Sequence, residues 1–311
     1  MRILVTGGCG FIGSHLVDEL LRSHHVAVLD DLSKGKYFWG QGGPALYQGS
    51  ILERSFVLQT FESFAPEMVF HMAAHHYIPF CEQNPHDAFA TNVTGTINVI
   101  DAAHRCGSLR KFFFASTGDV YPPSGYPHSE TDTPSPVYVY GESKLVGESI
   151  IRRYKSSVGV PFDIVIGRIF NAAGPRETNP HLLPEIVRQI AAGANRIEVG
   201  NTWPVRDFVD VLSMAKVIAQ ITQRVAGIDI FNIGSGHAVK VQEVIDVLIG
   251  ARQGDVNVVS VEARKRPNDR AYLCPAVTKL RQLLGHAAEP FSAATAQAIW
   301  AEPAQTRLLY A

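Results

Sequence analysis

The 311-residue sequence has few of the features that mark membrane, secreted or polyanion-binding proteins. No apolar run approaches the ~20 residues needed to span a bilayer. The start, MRILVTGG, reads as a strand and a turn, without the long apolar stretch and cleavage site of a secretory leader. Charged residues are only 18%, net charge is −1, and no block of like charge occurs. That argues against a nucleic-acid surface and leaves a local anion pocket open. The four cysteines, Cys9, Cys81, Cys106 and Cys274, are widely spaced, with neither C-x-x-C nor metal-ligand spacing. They are expected to be reduced thiols of a cytoplasmic protein. Of the twelve histidines three make the one dense group, HMAAHH at 71–76, with no acidic ligand at metal spacing beside it. No metal is therefore expected. Internal repeats and low-complexity segments are absent.

What is present is a core-forming chain, 46% hydrophobic, in which strand-length apolar runs alternate with helical patterns. RILVT (2–6), HVAVLD (25–30), MVFHMA (68–73), KFFFAST (111–117) and FDIVIGRIF (162–170) read as strands. GFIGSHLVDELLRS and the stretches 86–105 and 138–157 read as helices. Such alternation predicts an α/β fold, a doubly wound parallel sheet covered on both faces, with ligands at the strand C-termini. After about residue 170 Pro and Gly become frequent, and the helical PEIVRQIAAG and VQEVIDVLIG lie among loops. The expected organisation is a cofactor domain over 1–170 and a smaller lobe over 171–311. Part of 205–236 returns to the first domain, since DIFNIGSG again reads as a strand.

VTGGCGFIGSHL places Gly7, Gly10 and Gly13 between a strand and a helix, which is the context that gives a glycine pattern meaning. Gly7 permits a tight turn, Gly10 lets backbone approach a pyrophosphate, and Gly13 lets helix and strand pack closely. The helix N-terminus, with Phe11 and Ile12, then presents free N–H groups to phosphate. Asp30 ends the second strand 20 residues after Gly10, near the offset at which an acid takes the adenosine ribose hydroxyls. A carboxylate there repels a 2′-phosphate, so NAD is favoured over NADP. Asp31 is the neighbouring candidate, more naturally a corner residue.

In VYVYGESKLVGE, Tyr140 and Lys144 stand four apart, on one face of a helix. The pair fits a packed ring beside a solvated ammonium, and equally a phenol made acidic by a nearby cation. The motifs TGGCGFIGSHL, VFHMAA, TNVTGTINVI, FFFASTGDVY, YGESK, RIFNAAGP, RDFVDV and RPND occur in that order. By them the chain resembles the extended short-chain dehydrogenase/reductase family, and within it the nucleotide-sugar epimerases and dehydratases, from residue 1 to about 285. The resemblance implies a Rossmann-like domain with a C-terminal α/β sugar-nucleotide lobe, tightly held NAD, and a homodimer joined through the helices at 86–105 and 138–157. It implies Tyr140 as base, Lys144 as its ammonium partner and Thr117 as the hydroxyl on the sugar O4, with Ser116 its neighbour. Along the cofactor it places Ser33, Ser50, Ile51, Met72, Ala73, Ala74 and Asn92. On the nucleotide sugar, most simply a UDP-sugar, it places Asn171, Leu182, Val199, Arg206 and Arg266, with Asp269 on the ribose. The fork of an Arg suits two phosphate oxygens at once.

The chain departs from the family pattern at four places. Ser50 stands where the family usually has an Asp on the adenine. Asp119 stands where 4,6-dehydratases usually have a Glu, so it is a candidate acid-base group at C5 and C6 or a turn acid. His75 and His76 lie on the loop that flanks nicotinamide and sugar in relatives, and His181 replaces a frequent Asn. His76 and His181 are taken as substrate contacts, for a sugar bearing a carboxylate or an amino group. The leading expectation is a 4-epimerase working through a transient 4-keto sugar. A 4,6-dehydratase using Asp119, a 4-keto-sugar reductase and a non-catalytic NAD or sugar-nucleotide sensor are the alternatives. The sensor is disfavoured because Thr117, Tyr140 and Lys144 are all present.

Overall fold

A computed structural model describes residues 1–252, 256–266 and 269–302. The strands in chain order are β1 (Arg2–Thr6), β2 (His25–Asp30), β3 (Ala45–Gln48), β4 (Met68–His71), β5 (Lys111–Thr117), β6 (Asp163–Ile169), β7 (Asn171–Ala173), β8 (Arg196–Val199), β9 (Val205–Asp210), β10 (Ile228–Ile233), β11 (Ala238–Lys240), β12 (Asn257–Ser260) and β13 (Tyr272–Leu273). Seven form one sheet in the order β10-β6-β5-β4-β1-β2-β3. Every pairing in it is parallel. The order reverses at β1, so the crevice between β1 and β4 is the switch point where such sheets take ligands.

The sheet is apolar on both faces because helices cover both. Side chains alternate between the faces with period two. Ile3, Val5 and Phe113 join one core cluster, and Leu4, Phe112 and Phe114 join the other. The three phenylalanines are fully buried, each stabilising the fold by about 1.5–3 kcal/mol through burial. A third cluster around Ile186, Ile197, Phe208 and Ile245 forms the core of the C-terminal region. There β11, β9 and β13 form a small sheet, with β7 also on β9, and β8 pairs with β12.

Two findings go beyond the sequence pattern. Strand β9 lies in the Pro- and Gly-rich region after residue 170, and its interior residues are buried among β11, β13 and β7. The helical stretch 86–105 is not uniform: Ala90–Gly95 is a π-helical turn between the helices Pro85–Phe89 and Thr96–Arg105. Such widened turns re-aim side chains and are frequent at functional sites.

Candidate active site

The glycine loop follows β1 into the helix Phe11–Leu21. Gly7 has φ +69°, and a Cβ there would meet the Ala73 amide nitrogen at 2.5 Å. A Cβ on Gly13 would lie 2.1 Å from the Gly7 carbonyl oxygen. These two glycines are required by the fold itself. Gly10 is different: its Cβ would meet only the Gly7 oxygen, at 3.3 Å. It is also the helix N-cap and has no side-chain cap. The N–H groups of Phe11, Ile12 and Gly13 are therefore open to an anion, and the small cradle suits a pyrophosphate.

Asp30 ends β2 and is buried. Its Oδ2 accepts from the Cys9 amide and its Oδ1 from the Leu32 amide, each at 2.9 Å. The carboxylate thus fixes the glycine loop and retains lone pairs for a ligand. Burial raises its pKa and the two amide bonds oppose that. Asp31 instead accepts from the Ser33 amide at 2.9 Å, the turn role expected of it. Ser50 accepts from the Leu52 amide at 3.2 Å. Ile51 packs in the core and leans on Gly95 of the π-helical turn.

The catalytic candidates meet at the C-terminal end of β5. Thr117 is its last residue, and the helix Val139–Arg153 carries Tyr140 and Lys144. The Thr117 hydroxyl lies beside the Tyr140 phenol and acts to lower its pKa. The Thr117 hydroxyl also accepts from the Asp119 amide at 3.2 Å and lies 3.4 Å from the Asp119 carboxylate. Burial first, and then Asp119's charge, push the Tyr140 phenol well above its ordinary pKa. The chain by itself therefore holds Tyr140 as a phenol. Lys144 is 1% exposed, and among the described residues its Nζ has no hydrogen-bond partner. It sits 4.4 Å from the centre of the Phe114 ring. Burial pushes its pKa down to about 7, with Glu148 opposing. A buried ammonium without acceptors is rare in a finished protein, and it fits a hydroxyl-bearing ligand such as a ribose.

The side chain of Asn92 is buried and hydrogen-bonded within the protein. Its Oδ1 accepts from the His75 amide at 2.8 Å, and its Nδ2 donates to the His75 carbonyl and the Ser143 hydroxyl, both at 2.9 Å. The π-helical turn aims it to clamp the HMAAHH loop against the catalytic helix. Ser116 likewise donates to Glu148, at 2.6 Å. Val199 is buried in the C-terminal core. Met72 and Ala73 follow β4 beside Gly7, and Ala74 offers its carbonyl to His76.

On the substrate side, Arg206 donates to Asp269 at 2.8 Å, and Asn201 donates to the same carboxylate at 3.2 Å. Arg266 and Asn171 are exposed, and Leu182 begins the helix Leu182–Ala191. Pro267 and Asn268 of the RPND motif lie outside the described residues. Two features escape a reading of the sequence. Arg270, next to the motif's acid, is 4% exposed, and its Nε and Nη1 have no hydrogen bond. It stands 3.5 Å from the Asp119 carboxylate and donates to the Asp119 carbonyl at 3.2 Å. Glu177, from the segment after β7, comes beside His76 and His181, with donor atoms of all three within 4.8 Å of one another. The acid missing near HMAAHH in the sequence is thus supplied from a distant segment.

Residues 3–234 match the NAD dependent epimerase/dehydratase family. The chain is 31% identical over 307 residues to a UDP-glucose 4-epimerase of Lacticaseibacillus casei, covering 92% of this chain and 91% of that protein. It is also 31% identical over 304 residues to a UDP-N-acetyl-alpha-D-glucosaminuronate decarboxylase of Bacillus cytotoxicus, with 91% of each chain covered. The crystal structure of the Thermus thermophilus UDP-glucose 4-epimerase in complex with NAD superimposes with a TM-score of 0.85 at 29% identity, over 99% of both chains.

Proposed function

The chain belongs to the NAD dependent epimerase/dehydratase family, and within it we propose a nucleotide-sugar 4-epimerase that works through a transient 4-keto sugar. It is an NAD-dependent enzyme by that membership. The observation that carries the finer reading is the meeting of Thr117, Tyr140 and a buried, partnerless Lys144 at the end of β5. In this reading residues 1–170, with the returning strand, hold NAD, and 171–311 hold a nucleotide sugar, most simply a UDP-sugar.

The Gly7–Gly13 loop holds the NAD pyrophosphate, Asp30 the adenosine ribose, and Lys144 the hydroxyls of the other ribose. When bound, NAD supplies a reversible acceptor for the hydride on C4. Tyr140 takes the proton of the sugar 4-hydroxyl, and Thr117 orients that hydroxyl and relays the proton. The phenol needs added positive charge to act near neutral pH, because burial and Asp119 hold it protonated. A bound ligand that keeps Lys144 charged meets part of that need. The pocket would let the 4-keto sugar turn over to offer its opposite face, and Tyr140 would return the proton to O4. Arg206 and Arg266 face the diphosphate, with Asp269 holding Arg206 and the ribose.

A 4,6-dehydratase is the second reading, favoured by one observation: the Asp119 carboxylate lies 3.4 Å from the Thr117 hydroxyl. Its proximity to Arg270 argues for the epimerase, since that carboxylate already has a partner within the protein. Homodimer formation through the helices at 86–105 and 138–157 is supported by the exposed Ile97 and Val146 on them. A cytoplasmic setting fits the four free thiols. The deciding experiment is incubation with NAD and a panel of nucleotide sugars, read by mass spectrometry and proton NMR. Unchanged mass with an inverted C4 proton signal is expected; loss of one water would replace the epimerase by a dehydratase.

A further inference from the structure

We propose that His76, Glu177 and His181 bind one first-row divalent metal ion of the zinc type. The inference stands on the geometry of these three residues and is independent of the reaction assigned above. Their donor atoms lie within 4.8 Å of one another, although Glu177 and His181 come from the segment after β7 and His76 from the loop after β4.

Each side chain is prepared for a cation in a different way. The His76 ring hydrogen-bonds the Ala74 carbonyl, while its Nε2 faces the Asn179 amide at 3.3 Å. With the Asn179 amide facing it, Nε2 is the ring nitrogen available to a cation that displaces that amide, and metal-binding histidines commonly tie their other ring nitrogen to a polar partner. Glu177 is 6% exposed and, among the described residues, has no Lys, Arg or His nitrogen at ion-pair distance. Its Oε1 accepts from the Asn179 backbone at 3.0 Å and stands 3.5 Å from the Asn179 side-chain amide. Among the described residues the His181 ring nitrogens have no hydrogen-bond partner. The ring stacks on His76 at 5.6 Å, and Tyr77 meets its edge at 5.3 Å. His181 is also the N-cap of the helix Leu182–Ala191, yet its ring does not cap that helix.

The Asn179 amide group therefore stands between His76 and Glu177 on two contacts longer than ordinary hydrogen bonds. A cation replaces those weak contacts with ligand bonds. Metal–ligand distances of about 2.0–2.2 Å ask the donors to close by roughly an ångström, within reach of side-chain rotation. Two imidazoles and one carboxylate suit zinc, cobalt, nickel or iron(II), whereas magnesium and calcium prefer all-oxygen shells. Three protein ligands leave a fourth position for water or an oxygen of a bound molecule.

The test is zinc binding by the untagged full chain after chelator treatment, measured by equilibrium dialysis and elemental analysis, with cobalt(II) as a spectroscopic probe. The expected result is about one ion per chain, and visible cobalt bands typical of four-coordinate nitrogen and oxygen ligation. Glu177→Gln, nearly isosteric, and the part-exposed His181→Ala should each weaken binding at least about tenfold. His86→Ala, an exposed histidine elsewhere, should leave it unchanged. Circular dichroism establishes that each variant is folded, and the wild-type cobalt spectrum decides the matter if one is not. A wild type that binds no zinc, a cobalt spectrum of octahedral aquo type, or folded variants that bind as wild type would each overturn the site and leave a hydrogen-bonded knot around Asn179.

Discussion

Two buried polar regions flank the catalytic helix Val139–Arg153, and they differ in one respect. Behind it, Arg168 is 1% exposed and fully engaged. It donates to Glu148 through Nε at 2.9 Å and Nη2 at 2.8 Å, and to the Tyr121 hydroxyl at 2.9 Å. Tyr121 in turn donates to Asn232, at 2.8 Å. In front of it, Lys144 and Arg270 are also buried, yet among the described residues the Lys144 ammonium and two Arg270 guanidinium nitrogens lack hydrogen bonds. A folded chain satisfies nearly all its buried polar atoms. The back region is finished by the protein, tying β5, β6, β10 and the helix together. In the proposed function the front region is completed by the bound cofactor and sugar.

The sharpest way to break this contrast is at the front. Tyr140→Phe should lower turnover by about 10²–10⁴-fold, with NAD affinity retained by calorimetry. Unchanged turnover would remove Tyr140 from the role of base, and a wild type without turnover on any nucleotide sugar would favour the sensor. At the back, Glu148→Ala should cost roughly 3–5 kcal/mol in urea denaturation, because Arg168 is left buried and uncompensated. Lys144→Met should have the opposite sign, gaining about 1–3 kcal/mol in the ligand-free chain while abolishing activity. If it destabilises as Glu148→Ala does, the two regions are alike and the contrast fails.

That stabilisation has a pH signature. Lys144 titrates near 7 in the folded chain and near its ordinary value of 10.5 when unfolded. Between those values the unfolded chain binds more protons, so this residue makes stability rise with pH. The methionine variant should lack that part of the slope, as paired denaturation curves at about pH 7 and about pH 9.5 would reveal. The smallest effect belongs to Asp119→Asn. Removing a charge that raises the Tyr140 pKa should move the ascending limb of the rate–pH profile to lower pH, by under about one unit. Loss of water-elimination activity in that variant, with the limb unmoved, would favour the dehydratase.

What was legible in the sequence was local. Gly7, Gly10 and Gly13 act through backbone spacing, Asp30 through its place at the end of a strand, and Tyr140 with Lys144 through helical periodicity. These rest on the order of residues alone. The sheet was legible for the same reason, because FFF and ILV runs need burial on both faces. Arg270, Glu177 and the Glu148–Arg168 pair were not legible: each acquires its meaning from a segment brought near by the fold. Asn179 and His76, 103 positions apart, share a hydrogen bond that no spacing rule predicts. Asn92 shows the limit most plainly. Its motif did not announce that the π-helical turn directs its amide onto the His75 backbone.

The return of β10 has a consequence for biosynthesis. This strand runs beside β6 from Ile228 against Ile164 to Ile233 against Ile169, yet residues 170–227 are made in between. As the chain leaves the ribosome, β6 waits as an open edge with unpaired backbone groups, the condition that invites association with other chains. Closing that edge requires a long-range parallel pairing, among the slower steps in folding. A nascent chain halted before residue 228 is thus the state of this protein most in need of a chaperone.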